Sequence, residues 1–209
     1  MTERKIGFPA RGEFNRTVRK RVEQYFTEHG FAKTGNWRMP LKPAIILPLL
    51  PAFYVLLVFF PSSPLMATIL AFCIAQGGVL IGFNIMHDSN HGSYSKSGKI
   101  NRVLSFSMEM IGGSHLLWRQ KHNVLHHTYT NINEMDSDLH TGGLLRLSPE
   151  QDWRPWHRLQ HLYAFPIYTL LSLSWVIYSD FSKLFSGRIG QYRLRKTSPS
   201  EMATFFLSK

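Results

Sequence analysis

Residues 43–60 read PAIILPLLPAFYVLLVFF, and after a Pro-Ser-Ser-Pro turn residues 65–86 read LMATILAFCIAQGGVLIGFNIM. The two stretches, 18 and 22 residues long, hold no charged side chain. At about 1.5 Å of rise per residue, each is long enough to cross a hydrocarbon core of roughly 30 Å. Together they predict a transmembrane helical hairpin over residues 43–86. Pro48 and Pro51 fall inside the first arm, a placement that membrane helices tolerate better than soluble ones. So short a tip returns the chain to the face it left, which puts residues 1–42 and everything after Met86 on one side.

Charge placement says which side. The formal net charge is +11, and residues 1–42 hold ten Lys or Arg against four Glu. A basic excess leading into a first span marks the cytoplasmic face. The same excess suits nucleic acid, but it lies beside the apolar runs, so no nucleic-acid partner is expected. Hydrophobic residues make up 44 % of the chain and charged ones 18 %, concentrated in separate segments, which also favours a membrane protein. The lone cysteine, Cys73, lies within an apolar run and rules out an intrachain disulfide. The first long apolar stretch begins too far along the chain for a secretory signal. Within residues 1–42, Phe14, Val18, Val22, Tyr25 and Phe26 recur at helical spacing, and Gly30 is a stop signal. That amphipathic helix suits either a bilayer surface or a packed cytosolic face.

Residues 87–161 are polar and read as a cytosolic cap. An apolar patch at 103–117, which also holds Glu109 and His115, is too short and mixed to span. Residues 162–178 are apolar again over 17 residues, interrupted by Pro166 and followed by Lys183, Arg188, Arg193, Arg195 and Lys196. A crossing there would export five basic residues, so an in-plane or re-entrant helix is expected, with 179–209 a basic cytosolic tail. The fold class expected is an all-α membrane protein, a hairpin carrying a cytosolic helical cap.

The cap carries the chemistry. HDSNH, at the exit of the second apolar stretch, sets His87 and His91 four residues apart, where two imidazoles share a helix face. One such pair is a weak signal. In HNVLHH, His122 and His126 repeat the spacing and His127 follows, expected about 100° further round and so able to serve a second ion. Five imidazoles exceed one tetrahedral zinc, and the Glu-x-x-His motif of soluble di-iron bundles is missing from the sequence. A redox-active pair of iron ions bound by His87, His91, His122, His126 and His127 is the better reading. Asp88, Asn131, Asp136 and Asp138 are candidates to orient those imidazoles, with helix capping the rival role for each and the stronger rival at Asp136 and Asp138.

The HDSNH box, the run HNVLHHTYTN followed by the DSD at 136–138, and QHLYAFPIYTLLSLSW resemble the membrane fatty-acid desaturase family, within it the front-end and bacterial acyl-CoA group. The resemblance covers roughly residues 40–180. It implies an O2-dependent enzyme that abstracts hydrogen from an unactivated methylene of a fatty-acyl chain linked to CoA, a carrier protein or a lipid. Electrons would come singly from a separate carrier, such as a ferredoxin or a b-type cytochrome. Such enzymes carry a third box, Q-x-x-H-H or H-x-x-H-H, after further membrane helices. None precedes Lys209, so the site is expected to be incomplete, and some members' HPGG haem motif is missing too. A histidine-box hydroxylase uses the same ligands, and an inactive truncated desaturase is a further alternative; HHTYTN favours desaturation. The resemblance places His157 and His161 outside the metal set, beside an aromatic belt of Trp153, Trp156, Tyr163 and Tyr168. His29 and His115 read as surface or packing residues, and His140 is open. Trp118 and Asn84 are candidates for an acyl tunnel.

Overall fold

A computed structural model describes residues 6–8 and 12–209. Among these residues the regular structure is helical apart from one two-stranded hairpin. They fall into two compact units, one ending at Ser107 and the other beginning at Met108.

The first unit is built on the hairpin. After α1 (Glu13–Glu28) come α2 (Leu41–Phe59) and α3 (Pro64–Ile81). Ser63 caps α3 by accepting from the Met66 amide at 3.2 Å, and Pro64 occupies the first turn, where its missing N–H costs nothing. The two arms pack where Gly77 meets Leu50. A Cβ on Gly77 would stand 3.3 Å from Leu50 Cδ1, so the small residue permits the close approach that membrane helices rely on. No residue of α2 is buried, and Leu65 and Phe72 of α3 are exposed, as befits helices whose remaining surface faces lipid. From Ile81 the helix continues through a π-helical stretch, Gly82–Met86, into α4 (His87–Asn90), giving one helix of 27 residues over Pro64–Asn90. Asn101, at the heart of α5 (Gly98–Ser105), ties off the following turn through the carbonyls of Gly92 and Ser95.

Past α6 (Ser107–Met110), the second unit holds α7 (His115–Trp118), a π-helix at Arg119–His126, α8 (His127–Tyr129), and α9 (Gln160–Ser174), which leads through a π-helical turn into α10 (Asp180–Ser186). The strands β1 (Arg188–Ile189) and β2 (Tyr192–Arg193) pair antiparallel before α11 (Pro199–Leu207). Ser198 and Glu201 form a capping box that starts α11.

Two differences from the sequence reading stand out. The segment 87–161, read as one cap, is divided: the first histidine pair belongs to the hairpin unit, because the second arm stays helical as far as Asn90. And residues 162–178 are the middle of a helix of 32 residues, Pro155–Ser186, long and apolar enough by length and composition to cross a membrane. The charges that break the apolar run are paired: the buried Asp180 carboxylate accepts from Trp175 Nε1 at 2.9 Å and Lys209 Nζ at 3.0 Å, with Lys183 Nζ 3.5 Å away. Paired charges lose much of their cost in a non-aqueous setting. Among the described residues three helices are therefore long and apolar enough to be candidate spans, and the protein is an integral membrane protein.

Candidate metal centre

The first box closes on ordinary α-helical spacing, with the His91 amide donating to the His87 carbonyl at 3.1 Å and the two ring centroids 4.6 Å apart. His87 Nδ1 lies 3.2 Å from Asp88 Oδ1. Asn84 turns instead to its own helix, donating to the Leu80 carbonyl at 3.2 Å.

The second box is built differently. Residues Arg119–His126 are π-helical, so hydrogen bonds close five residues apart, and it is positions i and i+5 that line up. His127 therefore does not point away from His122, as α-helical geometry leads one to expect. Their Nε2 atoms lie 3.2 Å apart, and the His122 ring stacks 5.3 Å from that of His126. All three imidazoles of the box sit on one face. Trp118, one turn earlier, stacks on His122 at 4.2 Å.

The turn after α8 completes the arrangement. Asn131 takes a left-handed backbone conformation, φ 60°, which Asn adopts more readily than most residues, and the chain folds back to bring Asp136 against His126. Asp136 is 1 % exposed; its Oδ2 accepts from His126 Nδ1 at 2.9 Å and from the Asn131 amide at 3.0 Å, and its Oδ1 from the Asp138 amide at 3.0 Å. Burial pushes the Asp136 carboxyl up, but the donors from Asn131, Asp138 and His126 outweigh it and hold the group below the usual aspartate range. The capping and histidine-orienting roles thus coincide in one carboxylate. Asp138 Oδ2 lies 3.3 Å from the same His126 nitrogen, and Asp138 pairs with Lys121.

These residues suit a metal. Ligands about 2.1 Å from one ion stand roughly 3.0–3.4 Å from each other, which is the separation of the His122 and His127 Nε2 atoms. His122, His126 and Asp138 each offer a donor within 4.8 Å of the others. With Nδ1 of His126 directed at a carboxylate, Nε2 is the nitrogen left to bind, the arrangement usual for ligating histidines.

A cavity of about 440 Å³ opens beside His122, lined by apolar Leu117, Trp118, Leu171 and Ile189 and by polar Asp138 and His140. This gives His140 a position that its sequence context left open. The tail, read from the sequence only as basic and cytosolic, helps shape this region: Gln120 donates to the Arg193 carbonyl at 2.7 Å and accepts from the Arg195 amide at 3.0 Å, and Tyr129 stacks on Tyr192 at 5.6 Å. No spacing rule signals these contacts. His157 lies outside the cluster, accepting from the Arg154 amide at 3.0 Å through Nδ1, with Nε2 3.0 Å from the Gly143 carbonyl. His115 pairs with Glu109, and His29 Nδ1 with the Tyr25 carbonyl at 2.8 Å, so both are structural.

Residues 61–207 match the family model described as fatty acid desaturase. A Synechocystis protein named sn-1 linoleoyl-lipid 6-desaturase is 35 % identical over 98 % of this chain and 57 % of its own length. A Physcomitrium patens protein named acyl-lipid (8-3)-desaturase is 33 % identical over 94 % of this chain and 42 % of its own, and a Rebecca salina acyl-lipid (7-3)-desaturase 38 % over 76 % and 34 %. The chain spans just over half the length of the first two relatives it matches, both linoleoyl-lipid 6-desaturases. No solved structure matches. With two histidine boxes in order, the second folded into a three-imidazole face, and a family match over residues 61–207, the chain belongs to the fatty acid desaturase family.

Proposed function

We propose that this protein is an O2-dependent di-iron desaturase that removes two hydrogens from a fatty-acyl chain carried on a membrane lipid. His87, His91, His122, His126 and His127 hold the irons. When bound, the iron pair supplies the O2 activation needed to take hydrogen from an unactivated methylene. Two electrons and two protons balance the reaction, the oxygen leaving as two waters; the electrons come one at a time from a separate donor such as a ferredoxin or a b-type cytochrome.

The chain's own groups set the conditions. Asp136 accepts the His126 Nδ1 proton, fixing the tautomer and ring plane so that Nε2 is the ligating nitrogen. The stacked Trp118 restricts rotation of His122. The cavity beside His122, with Leu117, Leu171 and Ile189 on its wall, is where an acyl methylene is held away from water. The lipid-linked substrate is favoured by the names of the relatives, acyl-lipid and linoleoyl-lipid desaturases. Placement of both boxes at the cytoplasmic face is favoured by the basic excess of residues 1–42.

The observation that carries this reading is the His122–His127 nitrogen pair with His126 braced by a buried carboxylate. Expression in a host whose lipids lack the product, followed by mass spectrometry of acyl chains, is the test. Loss of two hydrogens is expected. Gain of one oxygen would make the protein a hydroxylase, and no change with iron and reductant supplied would remove the enzymatic reading.

A further inference from the structure

The desaturase reading makes no use of α1, yet the helix is unusual. Every residue from Glu13 to Tyr25 is exposed, and α1 buries none of its side chains. Exposed residues include Phe14 at 79 % and Val22 and Tyr25 at 51 %, apolar surface that water disfavours. At 3.6 residues per turn, Phe14, Tyr25, Val18, Val22 and Phe26 fall within an arc of about 120°. Arg19 and Arg21 border that arc, one on each side, with Arg16 and Lys20 behind them. Long basic side chains at the edges of an apolar arc can lay their stems along it while their charges reach outward.

The segment after α1 extends the same surface. Phe31 folds back so that its ring stacks 5.5 Å from that of His29, itself 4.3 Å from Tyr25. Trp37 is 74 % exposed and carries the Arg38 guanidinium 5.3 Å from its ring centroid. Exposed Trp beside Arg is the composition of a membrane–water boundary. Leu41, where the first candidate span begins, is four residues further on. The helix is thus tethered close to a bilayer, with an apolar face, flanking arginines and low overall hydrophobicity, which is the pattern of helices that lie in the interface plane.

We infer that α1 lies in the headgroup layer of an anionic bilayer, with Phe14, Val18, Val22 and Tyr25 inward and Arg19 and Arg21 against lipid phosphates. This adds a lipid-binding surface outside the metal centre, one sensitive to the charge of the membrane. Each basic side chain held near an anionic surface strengthens such contact several-fold.

The test uses the full chain with Cys73→Ser, one protein per nanodisc, carrying a nitroxide at Val18→Cys or Lys20→Cys. Collision with O2, which concentrates in the bilayer, is compared with collision with a water-soluble nickel chelate. In discs containing phosphatidylglycerol, position 18 is expected to favour O2 and position 20 nickel, a contrast of about three-fold or more. Discs of phosphatidylcholine alone, or Arg19→Gln with Arg21→Gln, should reduce the contrast several-fold. Equal nickel access at both positions would overturn the inference, as would shielding of position 18 from both reagents, which means burial against protein. A contrast seen only with two proteins per disc would assign the face to a second copy, and one indifferent to lipid charge would contradict the anionic partner.

Discussion

The two histidine boxes share a four-residue spacing and differ in backbone. His87 and His91 meet on α-helical hydrogen bonding, beside a half-exposed Asp88. His122, His126 and His127 meet because the helix there is π-helical, and His126 leans on a fully buried Asp136. An α-helix shows positions i and i+4 on one face but turns i+5 away; widening the turn recruits i+5 as well. The same motif spacing therefore yields two imidazoles in one place and three in the other, and the second set has a carboxylate partner shielded from water.

The largest expected effect tests which histidines count. His126→Ala should remove most of the bound iron, by more than the roughly 10–100-fold that losing an orienting partner costs, while His161→Ala leaves iron content unchanged. Equal losses, measured by iron analysis of purified protein, would erase the distinction. Next, Asp136→Asn keeps size but weakens the acceptor for three donors; iron affinity should fall about 10–100-fold, with fold stability down by about 1–3 kcal/mol. The same exchange at Asp88, on a partly exposed pair, should cost several-fold less in iron affinity, and a reversed ranking would show that burial of the partner is not what separates the boxes.

Smaller still is the effect of straightening the π-helix. Deleting exposed Val124 restores α-helical register and converts positions i, i+4, i+5 into i, i+3, i+4, which share an α-helical face. Iron affinity should fall by less than about ten-fold, whereas inserting an alanine after Val124 should be as harmful as His126→Ala. If deletion and insertion are equally damaging, the π-helix is incidental. Finally, His157→Ala removes two backbone contacts of a buried ring and should lower stability by about 1–3 kcal/mol in chemical denaturation with iron content unchanged.

The hairpin and the two histidine boxes are legible in the sequence because uninterrupted apolar length and residue spacing are local properties. The π-helix is not, since nothing in RQKHNVLH distinguishes it from an α-helix by pattern. Asp136 is legible as one of four candidates to orient the imidazoles; that it is the one buried against His126 depends on the backward turn at Asn131. The full length of the helix Pro155–Ser186 is hidden for the opposite reason: Asp180 and Lys183 look like an end to the apolar run, and although they pair with each other one turn apart, the further partner of Asp180 is Lys209, 29 residues on, which no local pattern shows.

Iron binding by the imidazole face that the π-helix organises is the step on which the proposed function rests. Iron K-edge X-ray absorption on the purified protein tests it most directly. The expected result is a nitrogen-dominated shell near 2.1 Å with imidazole scattering and an iron–iron distance of about 3.5–4 Å, both weakened in His126→Ala and unchanged in His157→Ala. A shell without imidazole scattering, or one indifferent to His126, would contradict it.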